Sequence, residues 1–89
     1  MVTRWAVVIA PEAVKRLAKI PNPDRRRLLA AIDALHAGLS GDIKPLKGRS
    51  ECRLRVGSWR VIMIVDEAAL TINILSAGPR GDIYKSLIE

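Results

Sequence analysis

The sequence predicts an α+β domain in which a small antiparallel sheet is backed by an N-terminal helical hairpin, in the order β-α-α-β-β-β-α. Three observations carry this. Two apolar stripes of helical period fill the first half of the chain, the period changes from 3.6 to 2 at Glu51, and a Gly57-Ser58 pair separates two strand-like runs. A chain of 89 residues has room for one core, so residues 1–89 are read as a single domain. Hydrophobic residues make up 49% and charged residues 27%, a balance that supports a packed core over a disordered tail.

Residues 2–9 are rich in β-branched and aromatic side chains and read as the first strand, which Pro11 cannot continue. Pro11 suits the first turn of a helix, whose buried face is Ala13, Val14, Leu17 and Ala18. Asn22-Pro23-Asp24 reads as an N-cap, a first-position proline and an acid at the positive helix end, opening a second helix that ends near Gly38. Its stripe is Leu28, Ile32, Leu35 and Leu39, and the short link before it implies an antiparallel pair of helices. Residues 41–48 read as a loop carrying Lys44 and Lys47. Cys52, Leu54 and Val56 then alternate with Arg53 and Arg55, as in a strand with two unlike faces. Residues 59–65 are apolar almost throughout, as in a central strand, and residues 70–75 form the last strand, which Gly78-Pro79 is expected to break. Residues 81–89 suit a short terminal helix with Ile83, Leu87 and Ile88 turned inward.

Fifteen Lys and Arg against nine Asp and Glu leave a net charge of +6, which points to a polyanionic partner or an acidic protein. With two Trp, one Tyr and no Phe, the chain has few rings on which to stack bases, so a non-specific single-strand binder is disfavoured. Cys52 is the single cysteine and His36 the single histidine, so neither an internal disulfide nor a zinc or iron–sulfur site is expected, and no cofactor is implied. A reducing cytoplasm fits this usage. The apolar run at residues 5–10 is too short for a signal segment, and no stretch is long enough to span a membrane, so no membrane partner is expected.

A two-residue turn at Gly57-Ser58 would set Val56 against Trp59, Arg55 against Arg60, Leu54 against Val61 and Arg53 against Ile62. Three arginines then share one face, with Glu51 the nearest carboxylate. Directly opposed like charges are destabilising. Arg80 follows the last strand and Tyr84 comes one helical turn later. Guanidinium forks bind a phosphodiester bidentately and a tyrosine offers a proton, so the set suits phosphate.

The stretch Pro45-Leu46-Lys47-Gly48, the run from Arg53 through Val56-Gly57-Ser58-Trp59-Arg60 to Ile62, and then Arg80 and Tyr84 resemble the RelE/ParE superfamily of bacterial toxins. The resemblance covers nearly the whole chain and implies a RelE-like microbial RNase fold. It implies a type II toxin that cleaves messenger RNA on the ribosome and is neutralised by a cognate RelB-like antitoxin with an acidic amphipathic segment, the pair together binding operator DNA. Carried over, the catalytic positions are Arg55, Arg60, Arg80 and Tyr84. The RNA-binding positions are Lys44, Lys47, Arg49, Arg53 and Arg55. An arginine is a poor proton acceptor, so a base has to be sought elsewhere. Glu51 is the candidate on the sheet, Tyr84 a second if Arg80 lowers its pKa, and His36 lies away on the second helix. Two other readings stand beside this one: a ParE-like inhibitor of DNA gyrase without nuclease chemistry, and an inactive basic domain that only pairs with its antitoxin.

Overall fold

Gly57 takes φ +62°, the positive φ that a type II′ turn needs at its first central position, and the two strands beside it pair in the expected register. They are β3 (Cys52–Val56) and β4 (Trp59–Asp66), at the heart of a five-stranded sheet in a computed structural model that describes residues 4–79. The expected terminal helix, with Arg80 and Tyr84, lies outside the described residues.

Before the hairpin come β1 (Ala6–Ile9), α1 (Pro11–Ala18), α2 (Asp24–Ala34) with a 3₁₀ turn at Leu35–Ala37, and β2 (Asp42–Pro45); β5 (Thr71–Pro79) follows it. Pro11 opens α1 as expected, and Glu12 bonds Arg16 one turn on at 3.1 Å. The second helix starts one residue later than the Asn22 cap would place it, because Pro23 itself is the cap residue and no side chain caps the end.

The sheet order is β1-β5-β4-β3-β2. This corrects three details of the expected antiparallel sheet. First, β1 runs parallel to β5, so the sheet is mixed. The chain leaves β1 through both helices before it returns, a crossover long enough for parallel pairing. Second, residues 42–45 are a strand and not part of a loop: Ile43 packs against the core while Asp42 and Lys44 face away. A strand of four residues ending in proline is a short, blunted edge. Third, Gly78-Pro79 does not break β5. Pro79 pairs with Trp59, the first residue of β4, where its missing N–H falls at the end of the ladder.

Both helices cover one face of the sheet. Ala13, Leu17, Ile20, Leu28, Ile32 and Leu35 meet Leu54, Val61, Met63, Ile72, Ile74 and Ala77 in one cluster, with Trp5, Cys52, Val56 and Trp59 packed around it. Cys52 is therefore a half-buried free thiol against the core, on the side away from the arginines. His36 ties the first strand to the helices: Trp5 N–H donates to its carbonyl at 2.9 Å, and its Nδ1–H donates to the Trp5 carbonyl at 3.1 Å. Among the described residues, no helix is long and apolar enough to cross a membrane.

Opposite Ile62 the β4–β5 register slips. Ile62 pairs with Ser76 and Met63 with Ile74, leaving Leu75 as a bulge. The bulge keeps Ile72, Ile74 and Ala77 all on the core side, although strict alternation would turn Ala77 outward. Leu28 is fully buried beneath the sheet, so Leu28→Ala is expected to cost about 2–5 kcal/mol in urea-unfolding free energy.

Candidate nucleic-acid interface

The face of the sheet away from α1 and α2 carries the charge. Register alone assembles it: Asp42, Arg55, Arg60 and Gly78 form one row across four strands, and Lys44, Arg53, Ile62 and Ser76 form the next. Cross-strand Cα neighbours stand about 4.5–5.5 Å apart, so Arg55 and Arg60 are held side by side whatever their rotamers. Gly78 stands beside Arg60 without a side chain, and both residues are buried.

The three strand arginines are not equivalent. Arg60 is buried, 7% exposed, with Nη1 donating to the Trp59 carbonyl at 3.2 Å, so it sits in the floor as a fixed charge. Arg55 is exposed and has no hydrogen-bond or ion-pair partner among the described residues. Arg53 is mostly covered, and its Nη1 lies 3.8 Å from Asp42 Oδ1, close enough for attraction and too far for a hydrogen bond. That nitrogen is buried without a hydrogen-bond partner, as is Ser76 Oγ in the same row. Leaving a buried polar group unmade costs about 1–3 kcal/mol.

Glu51 is drawn away from the role of proton acceptor. Its Oε2 accepts from Arg49 Nε at 3.0 Å and Nη2 at 2.9 Å, and its Oε1 accepts from the Ser50 hydroxyl at 3.2 Å. The Arg49 hydrogen bond is the main reason its carboxyl lies below the ordinary 4.5, with Ser50 adding to it. A weaker proton acceptor is a poorer general base. The same bonds tie Arg49 to Glu51 in an ion pair. Lys44 stands exposed on β2 beside Arg53, and Lys47 is exposed in the turn that follows β2.

Sequence reasoning missed two members of this face. Asp42 is the carboxylate that tempers the arginines, and its signal was the polar–apolar–polar alternation of Asp42-Ile43-Lys44. Ser76 reaches the face only because Leu75 bulges, and no local signal marks that. Among the described residues no group of three or more His, Cys, Asp or Glu converges as metal ligands would.

A second feature lies on the helix side. An open cleft of about 430 Å³ is bordered by Glu12, Lys15, Arg16 and Lys19 of α1 and the stretch after it, with Trp59 and Pro79 on its sheet wall. Val14 and Ala18, expected on the buried face of α1, are exposed, since only Ala13 and Leu17 of that helix turn to the core, and Val14 adds an apolar spot to its outer side.

A family model described as the ParE toxin of type II toxin–antitoxin system, parDE, matches residues 7–84. The chain belongs to that family, within the RelE/ParE superfamily. Solved structures of RelE proteins share the fold. A chain of the archaeal RelE–RelB complex from Pyrococcus horikoshii is similar at 32% identity over 88% of this toxin and 97% of that chain, with a TM-score of 0.75. A chain of the RelB–RelE antitoxin–toxin complex from Methanococcus jannaschii matches at 28% identity over 89% and 96%, with a TM-score of 0.73. A mutant of E. coli RelE in the free state shares the fold at 16% identity, TM-score 0.72, over 96% of this toxin and 95% of that chain. A search of curated proteins finds no match.

Because Glu51 carries a lowered pKa in the folded protein, its pairing stabilises the fold above the unfolded value near 4.5 and is lost as pH falls through the folded value. Glu51→Gln should therefore flatten the fall of Tm on acidification below pH 4.5, as read by thermal melts across pH.

Proposed function

We infer that this ParE-family toxin is a ribosome-dependent endoribonuclease that cuts messenger RNA and so inhibits translation. One observation carries the reading: Arg55 stands exposed and without a partner among the described residues, directly across from the buried Arg60. A fold that sets two guanidiniums side by side accepts their repulsion, and a phosphodiester placed between them removes it.

Cleavage by attack of a ribose 2′-hydroxyl on its own phosphate needs a proton removed, charge stabilised on the phosphoryl oxygens, and a proton delivered to the departing 5′-oxygen. Arg53 and Arg55 hold the RNA backbone, with Lys44 and Lys47 extending the track along β2 and its turn. Arg60 and Arg80 stabilise the pentacovalent phosphate. Tyr84 orients the nucleophile or relays a proton. The carboxylates near the face, Asp42 and Glu51, are both engaged by arginines, so the face is strong in charge stabilisation and weak in bases. Alignment and proton acceptance then fall to the ribosome, where the toxin acts in the cytoplasm.

The inhibitor is a RelB-like antitoxin. An acidic amphipathic segment fits the cleft of Lys15, Arg16 and Lys19, with an apolar side chain against Trp59, and the complex binds operator DNA. A second reading rests on the ParE description of the family model: inhibition of DNA gyrase without nuclease chemistry. Induced cells separate the two, since arrest of protein synthesis before any DNA breaks belongs to the ribonuclease, and the reverse order to the gyrase inhibitor.

Arg55→Ala and Arg80→Ala are each expected to slow ribosome-dependent cleavage by about 100-fold or more, scored by mapping RNA 5′ ends. Arg55 is exposed and opposed by Arg60, so its removal should leave Tm level or raise it. A double variant that cuts at the wild-type rate would sink the assignment. With about four phosphates contacted, single-strand affinity should fall with a log–log salt slope of about −3. Free RNA without ribosomes should be cut slowly.

A further inference from the structure

Two polar atoms on the arginine face are buried with nothing to bond: Arg53 Nη1 and Ser76 Oγ. They flank Ile62 in a single cross-strand row. Ser76 is 4% exposed, and an alanine there would fill nearly the same volume with no hydroxyl to satisfy. A native protein that keeps such a group calls for a reason.

The bulge gives a second, independent pointer. Ile72 and Ile74 face the helices, and unbroken alternation would send Ser76 inward after them. Leu75 bulges, so Ser76 turns to the arginine face while Ala77 takes the place in the core against Val61. Bulges of this kind re-aim side chains beside functional sites.

What the two atoms lack in common is an acceptor. Arg53 Nη1 can only donate, and a serine hydroxyl donates readily. Arg55 and Arg60 in the adjoining row make an anionic acceptor the favoured one. We propose that Ser76 is a substrate-contacting residue whose hydroxyl donates to a phosphoryl oxygen of the RNA backbone, the same phosphate that Arg53 grips through Nη1. The proposal rests on the RNA reading of this face and adds to it a neutral donor from β5. Two strand spacings separate the Cα atoms of Arg53 and Ser76, about 10 Å, a gap that an arginine side chain and the oxygens of one phosphate bridge. The hydroxyl holds the phosphate and takes no proton from it.

The test is binding of a short single-stranded RNA made uncleavable by 2′-deoxy substitution, followed by fluorescence anisotropy. Ser76→Ala should bind about tenfold more weakly than wild type while its Tm stays level or rises, because an unsatisfied hydroxyl has been removed. In an Arg53→Ala background the same change should add little, since both groups serve one phosphate. Wild-type affinity in Ser76→Ala, full additivity with Arg53→Ala, no binding by the wild type, or a fall in Tm that betrays a structural partner would each overturn the proposal. Ribosomal cleavage measured alongside keeps the two claims apart: a wild type that binds the oligonucleotide and never cuts fails the ribonuclease reading, while the anisotropy still decides Ser76.

Discussion

The molecule is organised around a two-residue turn that forces like charges together. Gly57 accepts a backbone angle that other residues resist, the strands beside it meet in one register, and Arg55 has nowhere to stand but opposite Arg60. Hydrophobic burial enforces the same register from beneath. A slip by one residue would expose Leu54 and Val61 and drive the arginines into the core. The core thus holds the charges in place, and the repulsion between them is a small cost set against the burial of a dozen apolar side chains.

That cost takes three forms on one face. Two guanidiniums stand side by side, an arginine nitrogen has lost water without gaining a bond, and a serine hydroxyl is shut in without a partner. Stability alone favours none of these. An anion with several acceptor oxygens would relieve all three. Asp42 limits the cost by standing near Arg53, at a distance that leaves the nitrogen without a hydrogen bond.

Charge on the other side of the molecule has a different character. Lys15, Arg16 and Lys19 follow the outer surface of α1 and rim a cleft with an aromatic wall, a setting for a protein segment that carries both acid and an apolar anchor. The sheet therefore separates two basic surfaces of unlike shape, one flat and rich in guanidinium, the other grooved and partly apolar.

The helices, the central hairpin, its register and the shared face of Arg53, Arg55 and Arg60 were all legible in the sequence, because period and turn chemistry act between near neighbours in the chain. The parallel pairing of β1, the short β2 edge, the extension of β5 through Gly78-Pro79 and the Leu75 bulge were not. Each depends on what a distant segment offers: β5 must already be in place for β1 to pair with it, and Ser76 turns outward because Ala77 fits against Val61. Glu51 shows the same division. Its place two residues from Arg53 made it a candidate base, and only the folded turn revealed Arg49 and Ser50 bonded to it. The sequence by itself determined which charges share a surface. Tertiary structure decided which of them are buried, paired or left waiting for a partner, since burial and pairing belong to contacts between strands that no local pattern encodes.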